Sequence, residues 1–127
     1  MASVNTKVSL AMYVGESKTF ALTVLDENCD PIDLSGHSLY FTVKASECDE
    51  AALIFKSSAD PLEIEIDPDQ VNNAGKASIK VSAADIAGLE SQSYVYDVWL
   101  ELPSGARRLI AGIATFFIRQ PVTLEFV

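Results

Sequence analysis

The dominant pattern along the chain is an alternation of apolar and polar residues with a period of two. This spacing predicts β-strands with one face on a core and the other in water, because successive side chains of a strand point to opposite faces. The predicted inward sets are Phe20, Leu22 and Val24; Leu39, Phe41 and Val43; Leu62, Ile64 and Ile66; and Ala77, Ile79 and Val81. Two antiparallel sheets packed face to face would bury these sets.

Further strands are predicted at residues 8–12, 53–56, 94–102, 107–118 and 122–126. Turn-forming residues separate the strands, notably in segments 14–16, 26–33, 72–75 and 103–105. Eight or nine short strands with turns at this spacing predict an all-β sandwich or barrel. No repeat or linker divides the sequence, so we expect one domain over residues 1–127.

Two local features interrupt the alternation. Ser82 and Asp85 have the spacing of a helix capping box, and Gly88 can end the turn, so a short helix is predicted over 82–88. It would cross from one sheet to the other. Residues 107–118 are apolar at both odd-numbered and even-numbered positions. This pattern indicates either a central strand covered on both faces or a bulge at Gly112 that switches the buried face. We favour the bulge.

The strand predicted over 94–102 contains the single tryptophan, Trp99. If the face with Tyr94 and Tyr96 belongs to the core, Trp99 points outward beside Val95. Aromatic residues are enriched among the residues that dominate binding at interfaces, so this side is a candidate contact surface. The alternative is that a neighbouring loop covers Trp99.

Composition and charge narrow the classes of partner. The chain has 127 residues, 49% of them hydrophobic, which is enough for one core. It carries 9 Lys and Arg against 18 Asp and Glu, a formal net charge of −9. Nucleic-acid binding requires clustered basic residues, and the only adjacent pair is Arg107 and Arg108, so that class is excluded.

The sequence predicts neither a signal peptide nor a membrane span. Residues 1–7 lack a charged segment leading into an apolar stretch, so we expect a mature cytosolic start. The longest weakly polar stretch, residues 109–118, is well below the roughly 20 residues that a membrane-spanning helix needs.

The charge is unevenly distributed, and the C-terminal region differs from the rest. From residue 106 to 127, one acidic residue, Glu125, stands against Arg107, Arg108 and Arg119. The predicted last strand has apolar residues at alternate positions, which suits pairing either with the exposed edge of another chain or within its own domain. The interface residues predicted from these features are Val95, Trp99, Arg107, Arg108, Val122, Leu124 and Phe126.

No catalytic signature is present. His37 is the single histidine, and no G-x-S-x-G spacing accompanies it, so we expect a surface turn residue. Glu63 and Glu65 alternate with apolar residues, as a solvated strand face does, and are not expected to form a glycosidase pair. We predict that the protein is not an enzyme and has no cofactor.

Oxygen-bearing residues at Asp26, Asn28 and Asp30 mimic the start of a calcium loop. An EF-hand loop needs glycine at its sixth position and glutamate at its twelfth, which here are Pro31 and His37. The sequence therefore favours a polar hairpin loop over a metal site. Cys29 and Cys48 lie in polar segments and are predicted to be free thiols, with a disulfide between them left open.

An ordered series of short motifs resembles a known family. The first half contains GESKTF at 15–20, PIDLSG at 31–36 and YFTVK at 40–44. The second half continues with GKASI at 75–79, SAADIAGL at 82–89, YVYDV at 94–98, Gly112, Phe116 and PVT at 121–123. The succession resembles small immunoglobulin-like proteins of tailed bacteriophages and prophages, among them the N-terminal domain of baseplate upper proteins. The departures are Cys29, where relatives usually carry glycine, and the longer, apolar ending.

The resemblance implies an immunoglobulin-like β-sandwich and a non-enzymatic virion protein that acts through assembly in the tail, baseplate or fibre attachment. Its expected partners are other virion proteins and further copies of itself, with no nucleic acid and no membrane. Its expected location is the virion, after synthesis in the host cytoplasm. Capsid decoration and a carbohydrate-binding or host-surface-binding module remain as alternatives.

Overall fold

The computed structural model describes residues 9–121, which form eight strands and one short helix. The strands follow the predicted segments within a few residues. They are β1 (Leu10–Tyr13), β2 (Lys18–Thr23), β3 (Ser38–Lys44), β4 (Ile54–Ser57), β5 (Ile64–Ile66), β6 (Lys76–Val81), β7 (Ser93–Glu101) and β8 (Arg107–Arg119), with helix α1 (Ala83–Ile86) between β6 and β7. The strand predicted over 122–126 lies outside the described residues.

The strands form two sheets. The five-stranded sheet has the order β1-β8-β7-β3-β4 and the three-stranded sheet the order β2-β6-β5. All neighbours are antiparallel except β1 and β8, which run parallel. These orders reproduce the neighbours G-F-C-C′ and B-E-D of an immunoglobulin domain. The predicted all-β, immunoglobulin-like sandwich is confirmed.

The core lies between the sheets and contains the inward sets that alternation predicts for β3 and β7. Leu39, Phe41 and Val43 are fully buried, and β7 buries Tyr94, Tyr96, Val98 and Leu100. Phe116 of the five-stranded sheet meets Phe20 of the other sheet edge to face, with ring centroids 6.0 Å apart. Each such apolar side chain contributes roughly 1.5–3 kcal/mol when buried, so this layer holds the two sheets together.

Helix α1 forms where its capping signal predicts it. The Ser82 hydroxyl accepts a hydrogen bond from the Asp85 N–H, and the Asp85 carboxylate accepts one from the Ser82 N–H, so the capping box is complete. The helix links β6 of one sheet to β7 of the other, as expected. No helix in the described part of the chain is long and apolar enough to span a membrane.

Strand β8 carries the bulge that the sequence favours at Gly112, and a second one. Its pairing with β7 skips Ile113 and then Ile110, each of which is an extra residue between successive pairs. Each bulge reverses whether the odd-numbered or the even-numbered residues of β8 face inward. The second bulge restores the original set, and this explains why β8 has apolar residues at both odd and even positions.

Leu62 does not belong to the inward set that alternation assigns to it. It is 79% exposed, because β5 begins only at Ile64. The preceding residues form a turn in which the Asp60 carboxylate accepts a hydrogen bond from the Leu62 N–H at 2.9 Å. Leu62 therefore lies in the turn before β5, and its place in the alternating pattern does not correspond to a position in the strand.

Candidate protein-binding surface

A row of aromatic side chains crosses the outer face of the five-stranded sheet. The register places Trp99 of β7 between Tyr40 of β3 and Leu109 of β8, and paired residues of neighbouring strands share a face. Phe55 of β4 stacks on Tyr40 with ring centroids 6.1 Å apart and planes inclined by 21°. Trp99 is 37% exposed and Phe55 54% exposed. The outward orientation expected for Trp99 is confirmed.

The bulge in β8 extends this surface. Gly112 has a φ of +84°, and a Cβ added there would lie 2.3 Å from the carbonyl oxygen of Tyr96. Glycine thus allows the strand to bulge, and the extra residue Ile113 is 43% exposed beside Val95. We call the resulting set the outer patch, and it consists of Tyr40, Phe55, Val95, Trp99, Leu109 and Ile113.

Charged side chains of both signs surround the outer patch. Glu101 accepts a hydrogen bond from the Tyr40 hydroxyl at 3.2 Å and forms a salt bridge with the Arg107 Nε at 3.2 Å. Lys44, Glu47 and Asp97 line the depression beside Ile113. With Glu101 and Arg107, these side chains carry a net charge of −1, whereas the whole chain carries −9. The outer patch is therefore an aromatic region of low net charge on an acidic protein.

The structure brings together three of the predicted interface residues. Val95, Trp99 and Arg107 all lie on the outer face of the five-stranded sheet, where Arg107 pairs with Glu101. Arg108 pairs with Leu100 and therefore lies on the opposite side of β8 from Arg107, where it is exposed at the end of the strand, and its place in an interface stays a prediction. Val122, Leu124 and Phe126 lie outside the described residues and stay a prediction.

Sequence reasoning missed Phe55 as a member of this surface. Leu53 and Phe55 alternate with Ile54 and Lys56, and alternation alone favours neither pair as the inward one. The structure buries Ile54 and Lys56, which are 4% and 9% exposed, and exposes Phe55. Lys56 is accommodated there by a salt bridge of 2.8 Å between its Nζ and Asp85 Oδ2 at α1. Because this pair joins residues far apart in the sequence, no local signal identifies it.

The loop between β2 and β3 has the polar hairpin form that the sequence favours. The Asp26 carboxylate accepts hydrogen bonds from the N–H groups of Asn28 at 2.8 Å and Asp30 at 3.0 Å. Leu25 and Pro31 are paired across the loop in an isolated antiparallel β-bridge. Cys29 has a φ of +64° in this turn. Within residues 9–121, no cluster of three or more His, Cys, Asp and Glu side chains is arranged to hold a metal.

His37 lies in the turn that enters β3. Its Nδ1 is 3.2 Å from the carbonyl oxygen of Ser35, and its Nε2 is buried without a hydrogen-bond partner in the described structure. The side chain is half-buried, not fully on the surface as expected. Cys29 and Cys48 are exposed and free, as predicted, in the loops at opposite ends of β3.

No protein-family model and no curated protein matches this sequence significantly. Among solved structures, the chain is similar to the RIG-5 IG1 homodimer, with 17% identity over 92% of this chain and 91% of that one, at a TM-score of 0.42. It is also similar to murine CRIg, with 12% identity over 89% of this chain and 92% of that one, at a TM-score of 0.42. At such identities the likeness concerns the fold and not the function.

Proposed function

We propose that this protein is a non-enzymatic structural component of a bacteriophage particle, in the tail, baseplate or fibre attachment, and that it acts through protein–protein assembly. The outer patch is the observation that carries the assembly role, because contiguous exposed apolar surface marks interaction sites on soluble proteins. The ordered motifs that resemble phage proteins support the place in a virion.

The outer patch has the composition of a binding hot spot. Trp99 lies between Tyr40 and Leu109 on paired strands, and Tyr40 is held by stacking on Phe55 and by its hydrogen bond to Glu101. Side chains that are ordered before binding lose little conformational entropy in the complex. Truncating a central aromatic anchor of this kind costs about 2 kcal/mol or more of binding free energy.

The first experiment is to locate the protein in purified phage particles by mass spectrometry and immunogold labelling. We expect the wild-type protein in the tail or baseplate, and we expect Trp99→Ala to reduce its incorporation about tenfold or more. Leu62→Ala is the matched control, because Leu62 is 79% exposed outside the outer patch and its loss should leave incorporation unchanged. Absence of the wild-type protein from particles contradicts the proposal, and labelling of the head would favour capsid decoration.

A carbohydrate-binding role is the second candidate, and one observation favours it. Of the exposed aromatics that the sequence offers, Trp99 and Tyr40 are paired across strands, with Glu101 and Arg107 at their edge, whereas Tyr13 lies on β1 away from this row. Aromatic faces flanked by polar groups provide apolar and hydrogen-bonding contacts together. Glycan-array binding that disappears in Trp99→Ala, while Leu62→Ala retains it, would support this role over assembly.

A further inference from the structure

We propose that the outer patch binds a second copy of this chain, face to face, about a two-fold axis that runs across the strands. This inference rests on the proposed assembly function and names its partner. In this arrangement the two five-stranded sheets pack on each other with their strand directions reversed. Trp99 lies near the centre of the contact and Lys44 and Glu101 lie at opposite ends of it.

The area of the outer face suits a stable dimer. Neighbouring strands are about 4.8 Å apart and rise about 3.3 Å per residue, so five strands beside a nine-residue β7 span on the order of 700 Å². Specific interfaces bury about 800 Å² on each partner. A contact over the whole sheet therefore falls at the lower end of the standard range, which is about 600–1,000 Å² on each partner.

The edges of the five-stranded sheet are occupied by side chains of the same molecule. On β1, the Ala11 carbonyl accepts a hydrogen bond from Lys18 Nζ at 3.2 Å, and the Tyr13 N–H donates to Glu16 Oε1 at 3.1 Å. On β4, the Ser57 N–H donates to Glu63 Oε1 at 3.0 Å. Side chains on edge backbone groups oppose strand-to-strand pairing with another molecule. Two copies of this sheet would therefore associate through their outer faces and not through their edges.

Two acidic loops and the outer face of the smaller sheet are less suited to self-association. The loop between β2 and β3 carries Asp26, Glu27, Asp30 and Asp33 without a lysine or arginine, and the loop between β3 and β4 carries Glu47, Asp49 and Glu50 without either. The outer face of the three-stranded sheet presents Thr19, Ala21, Thr23, Lys76, Ser78 and Lys80. Two copies would repel each other end to end and gain little apolar burial through the smaller sheet.

The charges beside the outer patch are self-complementary in the proposed orientation. Lys44 is opposite Val95 near the start of β7, whereas Glu101 is at its end, opposite Ser38. A two-fold axis across the strands places Lys44 of each copy over Ser38 of the other, one strand away from Glu101. Packed sheets are about 10 Å apart, a gap that extended lysine and glutamate side chains can bridge. An axis parallel to the strands would not bring these residues together.

Sedimentation velocity of the full chain over a range of concentrations tests the inference. We expect a reversible monomer–dimer equilibrium, weakened about tenfold or more by Trp99→Ala and unchanged by Leu62→Ala. Lys44→Glu alone and Glu101→Lys alone should each weaken the dimer, because each homodimer then contains two like-charge contacts. An equimolar mixture of the two variants should dimerise again, since both contacts of the mixed dimer join Glu to Lys.

The results distinguish a failure of the second-copy inference from a failure of the proposed assembly function. A wild-type chain that stays monomeric up to millimolar concentration overturns the second-copy inference. If Trp99→Ala still fails to enter particles in that case, the outer patch binds a different virion protein and the proposed function stands. Dimerisation of the wild type without restoration in the mixture overturns the proposed orientation. Circular dichroism of each variant identifies any loss that comes from misfolding.

Discussion

Cys29 occupies a backbone conformation that L-amino acids with a side chain rarely adopt, with a φ of +64°. The turn is held by the Asp26 carboxylate, which accepts hydrogen bonds from two N–H groups of the loop. The turn therefore holds a residue with a Cβ in a conformation that glycine adopts more readily.

Replacing Cys29 with glycine should stabilise the protein. The left-handed conformation costs a residue with a Cβ about 1 kcal/mol relative to glycine, so Cys29→Gly should raise the free energy of unfolding by up to about that amount. Urea denaturation followed by tryptophan fluorescence measures the change. Cys29→Ala is the control, because it removes the thiol and keeps the Cβ. Equal stability of the two variants would mean that φ is not the cause.

Gly112 should tolerate alanine far less well than Gly105. Both have positive φ, +84° and +92°, but an added Cβ meets the Tyr96 carbonyl oxygen at 2.3 Å only at Gly112 and meets nothing within 4 Å at Gly105. We expect Gly105→Ala to cost about 1 kcal/mol and Gly112→Ala about 3 kcal/mol or more. Thermal unfolding measures both. A similar loss in the two variants would show that the bulge is not closely packed.

At the scale of elements, a salt bridge joins α1 and β4. Lys56 extends from the inward side of β4 to Asp85 in the capping box, and the two side chains are 11% and 25% exposed. Together with the buried Ile54 on the same face of β4, this contact fits an orientation in which Phe55 faces outward and stacks on Tyr40. The pair thus links the helix terminus to a strand of the outer patch.

Acid should weaken this contact. Desolvation raises the pKa of Asp85, but the hydrogen bond from Lys56 and those from Ser82 outweigh it, so the pKa of Asp85 lies below its ordinary value of 3.8. A depressed carboxyl pKa stabilises the fold above the pKa of the unfolded chain and loses that effect as the pH falls through the folded pKa. We therefore expect the stability contributed by Asp85 to be complete at neutral pH and to decline below about pH 4.

The pair Asp85→Asn and Lys56→Met tests this coupling. Asp85→Asn leaves the mostly buried Lys56 unpaired and should cost about 2–4 kcal/mol at pH 7, because an uncompensated buried charge is unfavourable. The double variant should recover part of that loss, since methionine removes the charge and keeps the volume. Urea denaturation of all four proteins at pH 7 and pH 3 gives the coupling energy. Additive losses at pH 7 would show that the salt bridge does not stabilise the fold.

The limits of sequence reasoning are visible in the same elements. Alternation predicts the strands and the buried faces of β3, β6 and β7, because each has one dry and one wet face over several residues. It does not decide the inward face of β4, where four residues are too few for a pattern and the buried lysine is paired with a carboxylate distant in the sequence. Val95 and Trp99 were accessible to prediction from β7, whereas Phe55 required the tertiary fold.

At the scale of the whole molecule, a buried amide holds like-charged loops together. Gln70, 8% exposed, accepts hydrogen bonds from the N–H groups of Leu34 at 2.8 Å and Gly75 at 3.0 Å, and its side-chain amide donates to the Asp67 carbonyl at 2.7 Å. These bonds join the loop between β2 and β3 to the loop between β5 and β6, and both loops are acidic. The fold therefore concentrates negative charge at one end of the sandwich.

This concentration of charge predicts how salt affects stability. With a net charge of −9, repulsion among the loop carboxylates opposes folding, and salt screens it over about 10 Å at 0.1 M. Raising NaCl from about 20 to about 200 mM at pH 7 should thus increase the free energy of unfolding by about 1 kcal/mol. The double variant Glu27→Gln, Asp30→Asn should be more stable than the wild type at low salt and respond less to added salt.

Glu65→Gln is the control for that prediction, because Glu65 lies 3.3 Å from Lys80 and its loss removes an attraction and not a repulsion. It should leave the response to salt at least as large as that of the wild type. If salt instead lowers the stability of the wild type, attraction within pairs such as this one outweighs the repulsion at the loops. The acidic end would then not be what keeps two copies from associating end to end, and the preference for the outer patch would rest on its apolar area alone.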